Sequence, residues 1–468
     1  KYRSVFSTIP CFNVVQSKVK VKVHLFLIDE VHLLNDETRG ATMEAVVSRM
    51  KTVQSCMKSD DSGLRFVAVS ATIPNTDDIA EWLGSAKQPA LSFDMDESYR
   101  PVKLRKVVLG YPWSSNGSEF KFDINLNYKL GNVIHTYSEG KPTLVFDETA
   151  TAVIMTREQS RSLYQNIVNG SQKIESSLHS HLIEHLNAEI VLLTICDVSV
   201  ALEWIRSTFL YIRLLKNPTH YDTRLHELCT HNLSQLQSFN LISIDKDQRL
   251  IPNEPGRLMA RYCLTFDTVK KFGSLTGNES LQEMVDVIAG CREFQEVNLR
   301  MNERTTLNKM NKDKNRVVIR FPMTGRIKTT QMKVNCLLQA TMGCINIQDF
   351  ALSQDVTRIF RNAVRVARCL VELLMLKDNF KSLYNATLLS KCIRARLWEN
   401  SRYVTKQLTN IGATLSSALA NAGVATFSRA HEMNPRELEL IVNRHAPFGN
   451  HMHDAIKHLP KYEVQVEQ

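Results

Sequence analysis

Residues 24–34, His-Leu-Phe-Leu-Ile-Asp-Glu-Val-His-Leu-Leu, constrain this chain more than any other stretch. Residues 25–29 are a continuous apolar run ending on an acid, without alternation, and so read as a parallel strand buried on both faces. Asp29 and Glu30 then fall at the carboxyl end of that strand, where open α/β sheets bind ligands. Two adjacent carboxylates at such a place suit nucleotide hydrolysis. Asp29 would hold a hydrated magnesium bridging the phosphates, and Glu30 would position or polarise the attacking water. An isolated Asp-Glu pair is more often an ordinary strand end. The apolar lead-in, His32, and a matching strand downstream set this pair apart.

That second strand is expected over residues 64–69, Leu-Arg-Phe-Val-Ala-Val, running into Ser70-Ala71-Thr72-Ile73-Pro74-Asn75. Between the two, Met43, Val46, Val47 and Met50 recur at helical spacing and predict an amphipathic helix. Strand, helix and strand in this order make a right-handed crossover with adjacent parallel strands. It would bring the hydroxyls of Ser70 and Thr72 close to Glu30 and His32.

These residues resemble the DExH box and the SAT motif of superfamily-two helicases. The wider pattern, DEVHLLNDETRGATMEAVVSRM, then RFVAVSATIPNTDDIAEWLG and YRPVKL, is similar to the Ski-like branch, in detail to its meiotic crossover DNA helicases of the HFM/Mer type. The resemblance implies ATP and Mg2+ as cofactors. It assigns Asp29, Glu30, His32, Ser70 and Thr72 to catalysis, with Asp29 and Glu30 reaching the metal through water. It also implies 3′-to-5′ movement on single-stranded or branched DNA, in the nucleus, during meiotic recombination. Phe12-Asn13-Val14-Val15-Gln16-Ser17 resembles the Q motif of the same family, in which a Gln16 amide would read the adenine edge. The residues themselves support nucleotide hydrolysis and polyanion binding without separating DNA from RNA. An RNA helicase of the same branch and a non-catalytic nucleic-acid-binding cassette therefore stay open.

One part of the machinery is missing from the sequence. No GxxxxGK[ST] phosphate loop occurs: Gly140-Lys141 is the only Gly-Lys pair, and Pro142 follows it. Twelve residues separate Gln16 from Asp29, too few for one βαβ unit of about thirty. Gly140-Lys141-Pro142-Thr143-Leu144-Val145-Phe146 and Thr151-Ala152-Val153-Ile154-Met155 resemble the first and last strands of a second RecA-like domain, yet four residues part them. The chain thus reads as ordered segments of a longer fold, interrupted near residues 19–23, 57–62 and 146–147. A two-stranded parallel sheet could not cover both faces or stand alone. The rival reading is a degenerate ATPase that has lost its motor.

The rest is mostly helical. Residues 178–189 carry His181 and His185 at the i, i+4 spacing of a zinc helix, but no third ligand accompanies them, so solvated histidines are expected. Residues 201–216 read as one helix and 225–241 as another. Residues 243–251 then make two short strands around a charged turn, which together read as a winged helix. Ile411-Gly412 and Ala422-Gly423-Val424 suggest a helix-hairpin-helix element or, equally, a plain bundle with capping glycines. The expected fold class is multidomain α/β plus α. It comprises a partial first RecA-like lobe (1–104), remnants of a second (105–160), a winged helix with flanking helices (161–257), a helical ratchet domain (258–400), a helix-hairpin-helix element (401–460), and the start of a strand (461–468).

Charge and cysteine usage narrow the partners. The net charge of +10 is concentrated: residues 301–400 hold 18 Lys and Arg against 7 Asp and Glu. Such a patch suits a polyanion. Ten scattered cysteines with no CxxC pair argue against a zinc site and for buried thiols in a reducing compartment. No apolar run reaches membrane-spanning length, and no membrane partner is expected. Within the basic region, Arg358, Arg361, Arg365 and Arg368 fall within an arc of roughly 80° on one predicted helix. Ile359, Val366, Leu370, Leu373 and Leu374 take the other side. The row suits the phosphates of a single strand, since guanidinium groups bind oxyanions bidentately.

Overall fold

The computed structural model describes residues 24–56, 64–71, 73–85, 88–95, 97–99, 103–112, 119–137, 149–169, 173–221, 225–313, 318–460 and 465. Gln16, Thr72, the three expected interruptions, the strand expected at 140–146 and all but residue 465 of the last strand lie outside them. The chain divides into two compact units, Lys1–Ser238 with Ile242–Ile251, and Phe239–Leu241 with Pro252–Gln468.

In the first unit, β1 (Leu25–Ile28), α1 (Gly40–Cys56) and β2 (Arg65–Ala68) form the expected crossover. The strands run parallel, with Phe26 opposite Phe66 and Ile28 opposite Ala68. One face of the pair is inside. Ile28 joins Val31, Leu34, Met43, Val47, Ile79 and Trp82 in a core against which Phe26, Phe66 and Ala68 pack. The other face corrects the expectation of a strand buried on both sides, because Leu25 is 48% exposed and Leu27 66%. Two strands and the helices beside them cover only one face, so apolar residues suited to a doubly covered sheet meet water. After α2 (Thr76–Leu83), a second parallel pair follows: β3 (Lys103–Tyr111), α3 (Glu119–Tyr137) and β4 (Thr149–Arg157), in register from Lys103 opposite Thr149 to Tyr111 opposite Arg157.

The helices α4 (Arg161–Val168), α5 (Leu182–Val191), α6 (Val198–Arg206), α7 (Phe209–Lys216), the short α8 (Pro218–Tyr221) and α9 (Leu225–Ser238) lead to β5 (Ile242–Ile244) and β6 (Leu250–Pro252), which pair in a two-stranded sheet. The single helix expected at 201–216 is two. Thr208, fully buried, accepts from Tyr211 N, so its side chain starts a new helix at Phe209. His185 is no solvated histidine: burial pushes its imidazole down to about 4. His181 bonds the Glu37 carbonyl at 3.1 Å.

The first unit is knitted by buried polar groups. Glu44, on α1, accepts from Ser176 Oγ at 2.6 Å and from Leu210 N at the start of α7 at 2.6 Å. Asn75, near the start of α2, bonds both the N–H (3.0 Å) and the carbonyl (3.1 Å) of Ile174. Arg213 joins Glu175 and Asp78 in one buried ion-pair group. The acid-bearing strand pair and the helices around the hairpin therefore share one core.

The second unit is helical: α10 (Glu254–Tyr262), α11 (Phe266–Gly273), α12 (Leu281–Ala289), α13 (Arg304–Asn311), α14 (Thr330–Met342), α15 (Phe350–Leu374), α16 (Phe380–Ala395), α17 (Ala413–Asn421), α18 (Phe427–Glu432), α19 (Pro435–Val442) and α20 (Phe448–Lys457). α14 is buried on nearly every side. Its Lys333 is wholly enclosed, and Glu303 (2.5 Å), Asp355 (2.7 Å) and the Asn298 carbonyl (2.7 Å) hold its ammonium. A buried charge persists only with such compensation. The short helices α17 to α20 enclose a small core of their own around Leu419, Val424, Leu438 and Met452. Gly412 precedes α17 with extended backbone, whereas Gly423 ends it at φ +86°. Of the eight cysteines whose side chains are described, five are buried and all are free thiols.

Candidate nucleotide and nucleic-acid sites

The strand-end acids are held by backbone bonds between two loops. Val69 N donates to Ile28 O at 2.8 Å and Val31 N to Val69 O at 3.0 Å, fastening the Ser70 turn beside Asp29 and Glu30. The chain then turns into a short 3-10 helix, Val31–Asn35, and Glu30 adopts a left-handed conformation with φ 55° to make that turn. A non-glycine residue held there costs on the order of 1–3 kcal/mol, a strain that collects at functional sites.

His32 Nδ1 stands 3.2 Å from Glu30 Oε2 and 3.3 Å from Ser70 Oγ, and Ala71 N donates to it at 3.4 Å. A neutral Nδ1 can accept from Ser70 and Ala71, while a protonated one pairs with Glu30. The structure thus brings together Glu30, His32 and Ser70 as the crossover predicts. The Asp29 and Glu30 side chains stay exposed. No group of three metal-ligating side chains occurs among the described residues. The residues present do not fit bound ATP: two acids are in place, but no loop of the sequence could cradle the phosphates.

The arginine row is partly dispersed. Asp349 caps α15 by accepting from Leu352 N at 2.9 Å, which sets the phase of this 25-residue helix. Ile359, Val366, Leu370 and Leu374 are buried as the spacing predicts. Arg365 instead turns inward, donating to the carbonyls of Tyr262 (3.0 Å) and Cys263 (2.5 Å), where it caps the end of α10. Glu372 pairs with Arg261 at 3.1 Å. Arg358, Arg361 and Arg368 remain exposed.

Arg358 and Arg361 line a groove of about 360 Å³ together with Phe360, Val364, Arg394 and Arg396. Arg396 lies over the Phe360 ring at 5.0 Å and closes α16 in the left-handed conformation. Among the described residues no carboxylate pairs with Arg358, Arg361 or Arg394. Periodicity within one helix could find the first pair of arginines. It could not find the second, which arrives from the far end of the next helix; the Arg394-Ala395-Arg396 spacing was the only local signal.

Two family models cover most of the helical part: a "Winged Helix-turn-helix domain" over residues 175–247 and a "Sec63 Brl domain" over residues 252–468. Among full-length relatives, the Xenopus tropicalis "Probable ATP-dependent DNA helicase HFM1" is 44% identical over 590 positions, covering 95% of this chain and 44% of its own length. The chain belongs to the Ski-like DExH family, near HFM1 and MER3. The Arabidopsis thaliana "ATP-dependent DNA helicase homolog MER3" is 30% identical over 95% of the chain and 53% of its own length. The Saccharomyces cerevisiae "ATP-dependent DNA helicase MER3" is 24% identical over 95% and 49%. The chain spans about half the length of these curated relatives.

The aligned spans, 590, 607 and 594 positions, exceed the 468 residues of the chain itself. Ski-like relatives therefore carry long internal stretches with no counterpart here. This agrees with the interruptions read from the sequence, and with a strand pair whose second face is bare.

Proposed function

We propose that this chain is part of an ATP-dependent DNA helicase that acts on single-stranded or branched DNA, 3′ to 5′, in meiotic recombination in the nucleus. It carries the acid box, the Ser-Ala-Thr turn, the winged helix and the helical body, and it lacks the phosphate loop. The observation that carries this reading is 44% identity, over 95% of the chain, to a relative named as a probable ATP-dependent DNA helicase. In a protein that has the loop, Asp29 is assigned to Mg2+ and Glu30 to the attacking water, with His32, Ser70 and Thr72 beside them and Gln16 at the adenine. The domain limits follow the sequence reading, with partial RecA-like lobes to residue 160 and a ratchet domain at 258–400. Arg358, Arg361 and Arg368 are its phosphate-binding residues, while Arg365 braces α10.

For the chain itself this means nucleic-acid binding without turnover. Fluorescence anisotropy with labelled oligothymidine and the matching RNA tests it. We expect binding that weakens steeply with salt, favours DNA, and does not change on adding ATP and Mg2+. Absence of binding at low salt, or a clear preference for RNA, would overturn the proposal.

A further inference from the structure

Helix α16 carries two large rings turned to solvent, Phe380 at 80% exposure and Tyr384 at 57%. They stand one turn apart, with ring centroids separated by 6.1 Å and planes within 28° of parallel. At about 100° per residue, Thr387, Lys391 and Arg394 continue within the same arc of roughly 80°. Lys391 and Arg394 are exposed. The helix contains no acid, and Asp378 is the only one between residues 373 and 398. Arg394 also lines the groove that holds Arg358, Arg361 and Arg396. One surface therefore runs from Arg358, Arg361 and Arg394, which pair with no carboxylate among the described residues, to a pair of aromatic faces, along about 21 Å of helix.

We propose that this face of α16 is a base-stacking track for a single strand. Phosphates meet Arg394, Arg358 and Arg361 at one end, and bases stack on Phe380 and Tyr384 at the other. The inference rests on the nucleic-acid reading above and adds to it the recognition of bases. A bare aromatic pair could equally be a protein-docking patch. The charge beside it decides for a polyanion, since an acid-free helix ending in a cationic groove is complementary to phosphate. Every base has a π-face, so such a track gives affinity without sequence preference.

An abasic oligonucleotide keeps the phosphates and removes the bases, which separates the two ends of the track. The full chain is titrated with an oligothymidine of about twenty nucleotides and with its abasic counterpart, a span that exceeds one stacking platform. The unaltered chain should prefer the oligothymidine. The double variants Phe380→Ala/Tyr384→Ala and Phe380→Leu/Tyr384→Leu should each lose about tenfold of that preference, with abasic affinity and salt slope unchanged. The leucine pair keeps apolar bulk and removes the rings, so it distinguishes stacking from general greasiness. If both variants keep the full preference, the track is refuted and the rings are free for a protein partner. If the unaltered chain binds neither oligonucleotide, the nucleic-acid reading fails, and this inference with it.

Discussion

Glu44 shows how one residue can set the pH response of the first unit. It is fully buried, and burial raises its carboxyl to about 7 despite the hydrogen bonds from Ser176 and Leu210 N. The raised value means that the folded state holds a proton which the unfolded chain releases near the ordinary value of 4.5. Stability from this group is therefore complete below that ordinary value. It is lost as pH rises towards about 7, by on the order of 3 kcal/mol. Glu44→Gln should melt like the parent at pH 4 and higher than the parent at pH 8, a difference that thermal unfolding at the two values will show. Equal pH dependence in parent and variant would mean that the carboxylate stays ionised inside. Nothing local marks this residue, which sits among Met43, Ala45 and Val47 and reads as a polar break in an apolar face. Its partners lie more than a hundred residues away.

At the scale of elements, legibility followed locality. The β1–α1–β2 crossover, the paired strands β5 and β6, and the apolar face of α15 were readable because each is fixed by spacing within a few turns. The break between α6 and α7 was not, since it depends on how Thr208 is used as a cap, and a Ser-Thr pair inside an apolar run is compatible with a continuous helix. Burial of β1 on both faces was misread for a different reason: an apolar strand records what covers it in a complete sheet, and half of that cover is absent here. The arginine row was half legible. Its phase was correct, but which guanidinium groups are free depends on α10 and α16. Arg358→Ala/Arg361→Ala should lower the slope of log affinity against log salt by about two at most, leaving the fold intact because both side chains are exposed. Arg365→Ala should instead reduce thermal stability through the lost caps on α10. An unchanged salt slope in the double variant would remove α15 from the interface.

At the scale of the whole molecule, the chain holds a strand-end acid box without the loop that would present phosphates to it. Family membership explains why Asp29, Glu30, His32 and Ser70 occur together; the aligned spans of the relatives are longer than this chain, in whose described residues β1 pairs with β2 alone. No single residue could reveal this, but the twelve residues between Gln16 and Asp29 could, being too few for the unit that belongs there. We propose that these acids would act if a phosphate-binding loop stood beside them. This is tested most directly by ATP hydrolysis in the presence of single-stranded DNA, measured for the chain itself and for the chain with a relative's internal segment restored ahead of residue 24. We expect no turnover by the chain, DNA-stimulated turnover by the restored protein, and its loss in restored Glu30→Gln, where the amide keeps the size of the side chain and loses the charge. ATP hydrolysis by the chain as it stands, or undiminished hydrolysis in the restored Glu30→Gln protein, would contradict it.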